Sequence, residues 1–223
     1  MLHIITPFSR IKFKKFYIDN LKSKQIVWHP IVTDESIFIE KFDWLQPYYF
    51  KDNDLVNNIF NPNVIKINKF IKSFDIIDED RYCFFNDDDW MEEELPLKLE
   101  KYNDDVIFIA MERGDQIPEN ANIPHGTSTL YPHEGVGIGG IGFEQIFVKG
   151  HILKQMTFLD STTDKRAETP DGAMAEWLQE NFKVRYVSNI YSYFNFLEEG
   201  RWVKPPIPKN YSIPKTYSIP KNY

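Results

Sequence analysis

The chain has 223 residues, of which 42% are hydrophobic and 16% aromatic, so it can bury one substantial core. Its net charge of −7 argues against a general nucleic-acid-binding protein, and no apolar run approaches the ~20 residues that span a bilayer. A single cysteine, Cys83, permits no internal disulfide, and no charged and then apolar leader opens the chain. These features predict a cytoplasmic protein without a membrane span.

Strands and helices are predicted to alternate through the first half of the chain. Short apolar runs predict strands at residues 2–5, 25–32, 82–85 and 105–110. Helix-like spacing of apolar residues predicts helices at 11–22, 63–74 and 92–102. This alternation predicts an α/β fold, in which a mixed, mostly parallel central sheet is flanked by helices in a single domain.

The second half of the chain changes character. Five glycines fall within residues 135–142, and the segment 143–145 directly after them is predicted to open a helix. Pro170 and Asp171 precede a predicted helix at 173–182, because both residue types are typical of a first helical turn. A predicted strand at 183–188 and an aromatic segment at 190–196 follow.

An acidic run follows the predicted strand at 82–85. Six acidic residues occupy the eight positions from Asp87 to Glu94. The exit of a strand is where open α/β sheets bind ligands, and adjacent carboxylates repel one another unless a cation, water or N–H groups compensate them. A divalent cation that carries a diphosphate is one interpretation, since Mg²⁺ and Mn²⁺ take carboxylate and phosphate oxygens. The alternative is a helix N-cap with an acidic first turn.

The last residues form a basic repeat. Residues 201–223 carry five basic residues and no acid, so the preceding 200 residues have a net charge of −12. Ile-Pro-Lys-Asn-Tyr-Ser and its variants recur every six residues from Ile207, and proline at this spacing favours extended, semi-rigid chain. The sequence therefore predicts a domain at 1–203 and a linker at 204–223 that leads to further domains. A basic docking tail is the alternative.

Removal of the linker is expected to leave the domain's stability nearly unchanged. The repeat has no apolar periodicity, so residues after Lys204 should add nothing to the core. Thermal unfolding of the chain truncated at Lys204, compared with the full chain, measures this. A large drop in the melting temperature would mean that the repeat packs on the domain.

Polar residues follow three of the predicted strands. They are Thr6, Ser9 and Arg10 after the first, Asp34 after the second, and Asp87 to Asp89 after the third. Connectivity places all three groups on one edge of the sheet. Six segments stand in order along the chain: I-I-T-P-F-S-R, V-T-D-E-S, F-F-N-D-D-D-W, G-I-G-G-I-G-F-E-Q, T-P-D-G-A-M-A-E-W-L and Y-F-N-F-L-E-E-G-R-W. Together they resemble the nucleotide-sugar glycosyltransferases of the GT-A (Rossmann-like) fold, particularly the inverting, family-2-like group. The resemblance covers most of residues 2–202, and with the repeat it extends to glycosyltransferase domains in multidomain enzymes of chlorella viruses. A viral origin would place the protein in the host cytoplasm.

The resemblance implies a donor site for a UDP-sugar and a Mn²⁺ or Mg²⁺ ion. Asp89 would bind the metal, and Asp87 would contact the ribose and contribute to the metal site, with Asp88 between them in the nucleotide-binding motif. Asp34 would accept a hydrogen bond from uracil or ribose, although an Asx turn explains this residue equally well. Thr6, Ser9 and Arg10 would flank the base and the phosphates.

On the acceptor side, the resemblance implies that Asp171 is the catalytic base, with Glu144 in reserve. The chain departs from the family's Glu-Asp pair, because Pro170 precedes Asp171 and the nearest glutamate is Glu168. Glu144 could instead bind a sugar hydroxyl. Gly139 and Gly140 could let the backbone approach the sugar closely, or form only a turn. His125, His133 and His151 are candidates for a further metal ligand, and for each of them a surface or packing role is the alternative.

The expected activity is metal-dependent, inverting transfer of a hexose or deoxyhexose from a UDP-sugar to a glycan or glycoprotein acceptor. One alternative is a sugar-1-phosphate nucleotidyltransferase, although the segment 6–10 lacks the glycines of its phosphate-binding loop. The other is a non-catalytic carbohydrate-binding or scaffold domain, which would need neither the metal carboxylates nor a base.

Overall fold

The computed structural model describes residues 1–22, 25–51, 62–113, 128–137, 140–157, 169–194 and 196–197. The predicted boundary between the domain and its linker, at 203/204, lies outside these ranges. Across the described ranges, no helix combines the length and the apolar character that crossing a membrane requires.

Nine strands from the described ranges form one mixed sheet. They are β1 (Leu2–Pro7), β2 (Ile26–Val32), β3 (Tyr48–Tyr49), β4 (Arg81–Phe84), β5 (Trp90–Met91), β6 (Val106–Arg113), β7 (Ser128–Leu130), β8 (Ile146–Lys149) and β9 (Val184–Phe194). Their order is β3-β2-β1-β4-β8-β6-β9-β5, and β7 pairs with β6. The mixed α/β architecture predicted from the sequence is confirmed.

Helices cover both faces of the sheet. They are α1 (Lys14–Leu21), α2 (Pro62–Ser73), α3 (Leu95–Leu99), α4 (Gly150–Leu153) and α5 (Pro170–Asn181). Apolar side chains of α1 and α3 pack into one core cluster, and those of α2, α4 and α5 pack into a second cluster. Since both faces of the sheet are buried, the sequences of the central strands are nearly continuous apolar runs.

Strand direction brings the polar segments of the first half together. β1 pairs in parallel with β2 and with β4, and β6 pairs in parallel with β9. The strand β8 runs antiparallel to both β4 and β6, so these two strands also share one direction. The carboxyl ends of β1, β2, β4 and β6 therefore meet at one edge of the sheet, as open α/β sheets require for a ligand site.

The predicted acidic helix at 92–102 is wrong, because the helix there covers only Leu95–Leu99. Glu92 extends the pairing of β5 with β9 instead. Its N–H donates to the carbonyl of Tyr191 over 3.1 Å, and its carboxylate accepts from the N–H of Tyr191 over 3.0 Å. The helix begins only after this pairing ends, with Pro96 in its first turn, where the missing N–H of proline costs nothing.

The predicted helix at 143–145 is a single 3₁₀ turn that leads into β8. Gln145 fixes this turn, since its side-chain oxygen accepts from the N–H of Gly142 over 3.0 Å and its amide donates to the carbonyl of Ile109 over 2.8 Å. The next three residues are apolar and pair with β4 and β6. The chain therefore enters the sheet where a helix was predicted.

The predicted strand at 183–188 and the aromatic segment at 190–196 are largely one strand, β9. Its pairing with β6 is interrupted between Ile109 and Ala110, where the register shifts. Such a shift marks a bulge that accommodates an extra residue without ending the strand. The C-terminal half of β9 reaches the edge of the sheet where the polar segments meet.

Candidate active site

The acidic segment after β4 forms a tight turn. The N–H of Asp89 donates to the carbonyl of Asn86 over 3.2 Å, and the side-chain amide of Asn86 donates to the Asp89 carboxylate over 2.9 Å. The Tyr17 hydroxyl from α1 lies within hydrogen-bond distance of the carbonyls of both residues, at 3.0 and 2.8 Å. Helix α1 therefore fixes the turn, and all three aspartates of the run are buried.

Asp87 binds the loop that follows β1. Its Oδ2 accepts from the N–H of Ser9 at 2.7 Å, the hydroxyl of Ser9 at 2.9 Å and the N–H of Arg10 at 2.6 Å. Its Oδ1 accepts from the guanidinium of Arg10 at 2.6 Å. Most of the acceptor capacity of this carboxylate is thus used within the protein. In this arrangement Asp87 joins the exits of β1 and β4.

Asp88 pairs with the same guanidinium, whose Nη1 lies 2.6 Å from the Asp88 Oδ1. Burial raises the pKa of Asp88, and the charge of Arg10 and its hydrogen bond oppose that rise. Asp87 to Asp89 do not cap a helix, because the N-cap of α3 is Glu94. The N-cap interpretation of these aspartates is therefore wrong.

Glu144, in the 3₁₀ turn before β8, is a buried carboxyl. Within the described part of the chain, neither of its carboxylate oxygens has a hydrogen-bond partner. Burial raises the pKa of Glu144 well above its usual value, and the negative charges of Asp89 and Asp171 raise it further. The side chain packs against Gly142, where an added Cβ would lie 2.8 Å from both carboxylate oxygens. A larger residue at position 142 would therefore displace the Glu144 carboxylate from its present place.

Asp171 stands in the first turn of α5, where its Oδ1 accepts from the N–H of Gly172 over 2.8 Å. Burial raises its pKa, whereas this hydrogen bond and the charge of Arg113 lower it. Asp89 follows β4, Glu144 precedes the antiparallel strand β8, and Asp171 begins the helix before β9, which is parallel to β6, so the three carboxyl groups lie at the same edge of the sheet. The structure thus brings together the predicted metal ligand and the two predicted base candidates.

Arg113 is a site residue that the sequence analysis missed. It is the last residue of β6, and its guanidinium lies over the Phe194 ring, 4.7 Å from the centroid. Its positive charge lowers the pKa of both Glu144 and Asp171, opposing the effect of their burial. A basic residue at the exit of the predicted strand 105–110 was the available signal, but that strand extends three residues further than predicted.

Thr6 and Asp34, which are predicted to contact the nucleotide, each form a hydrogen bond within the protein. Thr6 is buried within β1, and its hydroxyl accepts from the indole N–H of Trp28 over 3.1 Å. Asp34 is exposed after β2 and caps a 3₁₀ turn, accepting from the N–H of Ser36 over 2.8 Å. The Ser36 hydroxyl, and to a smaller extent the Ser36 N–H, lower the pKa of Asp34 beside the exit of β2.

The glycine run is only partly described. Gly140 ends a turn in which its N–H donates to the carbonyl of Gly137 over 3.0 Å, whereas Gly139 lies outside the described residues. Gly135 has a φ of 78°, a left-handed conformation that favours glycine. An added Cβ at Gly137 would lie 2.5 Å from the Glu176 carboxylate. Part of the run therefore serves turn geometry and close approach between the chain and α5.

The predicted histidine ligands receive no support from their positions. His125 lies outside the described residues, and His133 is exposed. His151 lies near the opposite edge of the sheet, and its Nε2 is 3.6 Å from the Asp105 carboxylate. No group of three or more His, Cys, Asp or Glu side chains among the described residues is arranged to hold a metal ion.

The donor chemistry of the turn nevertheless fits a hard cation that is shared with a diphosphate. Asp89 closes the buried turn, where its Oδ2 accepts from the N–H and the side-chain amide of Asn86, and the negative charge of Asp89 raises the pKa of the nearby Glu144 carboxyl. Mg²⁺ in particular is held in many proteins by one or two carboxylates, with phosphate oxygens and water as its other ligands. A cation of this kind would need few ligands from the protein, and the Mn²⁺ or Mg²⁺ ion stays a prediction.

Comparisons with known proteins address the fold. Neither the protein-family models nor the curated proteins gave a match to this sequence. A solved structure of S. aureus TarS, fragment 1–349, matches with a TM-score of 0.51 at 14% identity, covering 85% of this chain and 59% of that fragment. The Francisella tularensis 2-C-methyl-D-erythritol 4-phosphate cytidylyltransferase matches with a TM-score of 0.41 at 8% identity, covering 87% of this chain and 91% of the enzyme. At 14% identity this likeness shows the fold alone, a mixed α/β fold of the Rossmann-like GT-A type, and the chain spans less than two thirds of the TarS fragment.

Proposed function

We propose that this chain is a metal-dependent glycosyltransferase that moves a hexose or deoxyhexose from a UDP-sugar to a glycan or glycoprotein acceptor. One observation carries the proposal: the buried Asp87–Asp89 turn, Glu144 and Asp171 converge at the carboxyl edge of the sheet. Asp87 and Asp88 are compensated by Ser9 and Arg10, but the buried carboxyl of Glu144 has no described hydrogen-bond partner, and burying a charge is costly unless it is compensated. A divalent cation and the hydroxyl groups of two sugars would compensate it. The GT-A type of fold supports the same function.

The donor would lie along the exits of β1, β2 and β4. Asp89 would hold Mn²⁺ or Mg²⁺, while Asp87, whose oxygens are engaged by Ser9 and Arg10, would position the loop beside it. The ion when bound would neutralise charge on the departing diphosphate. Asp34 would accept from uracil or ribose. The loop of Ser9 and Arg10, which Asp87 and Asp88 hold in place, would border the phosphates.

The acceptor would lie between α5 and the 3₁₀ turn before β8. Asp171 would accept the proton of the attacking hydroxyl, and direct attack on the donor sugar would invert its anomeric configuration. Glu144, whose oxygens lack partners among the described residues, would accept a hydrogen bond from a sugar hydroxyl. Arg113 would keep both carboxyl groups ionised more readily than their burial alone permits.

The nucleotidyltransferase alternative fits the loop after β1 less well. Such an enzyme needs cationic and N–H groups there for a triphosphate, whereas the guanidinium and N–H of Arg10 are bound to Asp87 and Asp88. A non-catalytic carbohydrate-binding domain would not explain the buried base candidates. A nucleotidyltransferase would release pyrophosphate. A carbohydrate-binding domain would bind glycan without any role for nucleotide.

Calorimetric titration with UDP tests the donor site. We expect binding in the presence of Mn²⁺ or Mg²⁺ and little binding in chelator, because the metal joins the aspartates to the diphosphate. Asp89→Ala should remove the metal dependence. Glu180→Ala, on the exposed side of α5, is the control for the loss of one carboxylate and should bind UDP as the native chain does.

A panel of UDP-sugars, titrated under the same conditions, would then identify the donor. Equal UDP affinity in chelator and in Mn²⁺ would contradict the metal site. UDP binding that survives Asp89→Ala with its metal dependence intact would place the metal on other residues. Pyrophosphate release from a nucleoside triphosphate and a sugar phosphate would favour the nucleotidyltransferase instead.

A further inference from the structure

A second concave surface lies at the other end of the sheet, beside the edge strand β3. Residues within 35–49 line an open concave pocket of about 530 Å³, which we call the aromatic hollow. This volume falls within the range of roughly 300–1,000 Å³ that is usual for small-molecule sites. The lining that matters for its chemistry comprises Glu35, Phe38, Ile39, Phe42, Asp43 and Tyr49.

Apolar side chains are unusually exposed in this hollow. Ile39 is 77% exposed, Phe42 45% and Tyr49 39%, and Phe42 stacks on Trp44 with ring centroids 5.2 Å apart and planes within 6°. Trp44 covers one face of the Phe42 ring, and the 45% exposure of Phe42 leaves part of this residue open to a ligand. Exposed apolar groups concentrated in one place on a folded surface commonly mark a binding site.

The hollow is held in shape before any ligand arrives. The N–H of Leu45 donates to the carbonyl of Phe42 over 3.0 Å and closes the turn that carries the stacked pair. Trp44 is tied to β2, since its carbonyl accepts from the N–H of Trp28 over 2.7 Å. Glu40 pairs with Lys14 of α1 over 2.9 Å. Such preorganisation reduces the conformational entropy that binding would cost.

Polar groups at the rim are hydrogen-bond acceptors. The carboxylates of Glu35 and Asp43 accept no hydrogen bond from the rest of the described chain, and the Tyr49 hydroxyl donates to the carbonyl of Phe38 over 3.2 Å. Since Lys14 neutralises Glu40, these two carboxylates outnumber the one remaining lysine of the lining, Lys41. The rim therefore suits a ligand that donates hydrogen bonds and disfavours an anionic one.

From this geometry we propose that the aromatic hollow binds a neutral oligosaccharide. A pyranose ring presents an apolar face of C–H groups that stacks on the flat face of Phe42, while its hydroxyls donate to Glu35 and Asp43. Aromatic rings combine a large apolar face with defined geometry, which is what one sugar ring requires. The hollow lies beside β3, whereas α5 packs near β6 and β9 at the other side of the sheet, so a glycan held there lies away from Asp171, with Glu35 next to Asp34 on the donor side.

Calorimetric titration of the full chain with three neutral hexasaccharides tests the proposal. Cellohexaose, maltohexaose and chitohexaose present different ring faces, and at least one should bind saturably. Phe42→Ala should weaken that binding by about tenfold or more, because the stacking face is lost. Phe42→Tyr keeps an aromatic face and should bind as the native chain does. Leu97→Ala, at an apolar position on α3 that is 55% exposed against 45% for Phe42, is the matched control and should have no effect.

Binding of the same hexasaccharide to the Asp89→Ala variant separates this site from the candidate active site. Unchanged binding supports the hollow even if the chain proves not to be a transferase, and lost binding assigns the glycan to the active site and overturns the proposal. Absence of saturable binding for all three hexasaccharides overturns it, as does binding that Phe42→Ala leaves intact. Self-association that disappears in Phe42→Ala, measured by sedimentation, would make the hollow a contact between copies of the chain and would also overturn it.

Discussion

Replacement of Asp171 by asparagine is expected to lower the rate of sugar transfer by about 10²–10⁴-fold, which is the usual contribution of a positioned general base. Asparagine has the same shape, and its Oδ1 can still accept from the N–H of Gly172. It cannot accept the proton of the acceptor hydroxyl. Donor affinity should therefore survive while turnover falls, which single-turnover assays and UDP titration measure separately.

The pH dependence of transfer provides a second test of the same residue. Burial raises the pKa of Asp171 above its ordinary value of 3.8. A general base acts only in its deprotonated form, so transfer should fall as the pH falls through this raised pKa. Arg113→Met should move the acidic limb of the profile to higher pH, because the charge of Arg113 lowers the pKa of Asp171. Arg113→Lys keeps a positive charge, so its acidic limb should lie between those of the native chain and Arg113→Met.

Comparison with Glu144→Gln identifies the base. If transfer persists in Asp171→Asn but is lost in Glu144→Gln while UDP still binds, Glu144 is the base. If both variants lose turnover equally, the pH profiles decide, since only the true base removes the acidic limb. NMR of the freshly formed product reports the anomeric configuration, and a retained anomer would rule out a single direct displacement.

The strand exits could be predicted from the sequence because short apolar runs followed by polar residues are a local signal. The runs before Thr6, Asp34 and Asp87 locate β1, β2 and β4 to within a few residues. Their parallel order then places their ends at one edge without knowledge of any side-chain contact. Local pattern and topology together were thus sufficient for the general position of the site.

The internal partners of the site could not be predicted, because they are separated widely along the chain. Asp87 binds Ser9 and Arg10 across 78 and 77 positions, and no local pattern shows that its carboxylate is engaged there. The glycine run and Glu144 indicated a helix start. The burial of Glu144 depends instead on β8 inserting between β4 and β6 and on the contact with Gly142. Such nonlocal pairing overrides a local helix signal.

Glu144→Gln is expected to stabilise the folded chain at about pH 8 while it impairs transfer, because the native carboxylate is buried without a described partner. Burial raises the folded-state pKa of Glu144 well above the ordinary 4.5. The stabilising contribution of this group is therefore present below pH 4.5 and is lost as the pH rises through the raised pKa. Over that window the native chain should lose up to about 1.4 kcal/mol per pH unit relative to the variant.

Chemical denaturation of both chains between about pH 5 and about pH 8, in chelator and without nucleotide, measures this difference, because a bound cation would otherwise contribute its own stabilisation. Glu180→Gln, on the exposed side of α5, controls for the loss of one negative charge and should show no comparable growth of its effect with pH. If the free energy of unfolding of Glu144→Gln increasingly exceeds that of the native chain as the pH rises, the native fold keeps an energetically costly carboxylate. The reason to keep it would be chemical, since the glutamine variant should bind UDP yet transfer sugar slowly. A destabilisation that is the same at both pH values would instead show that Glu144 holds a polar partner in solution and serves the fold.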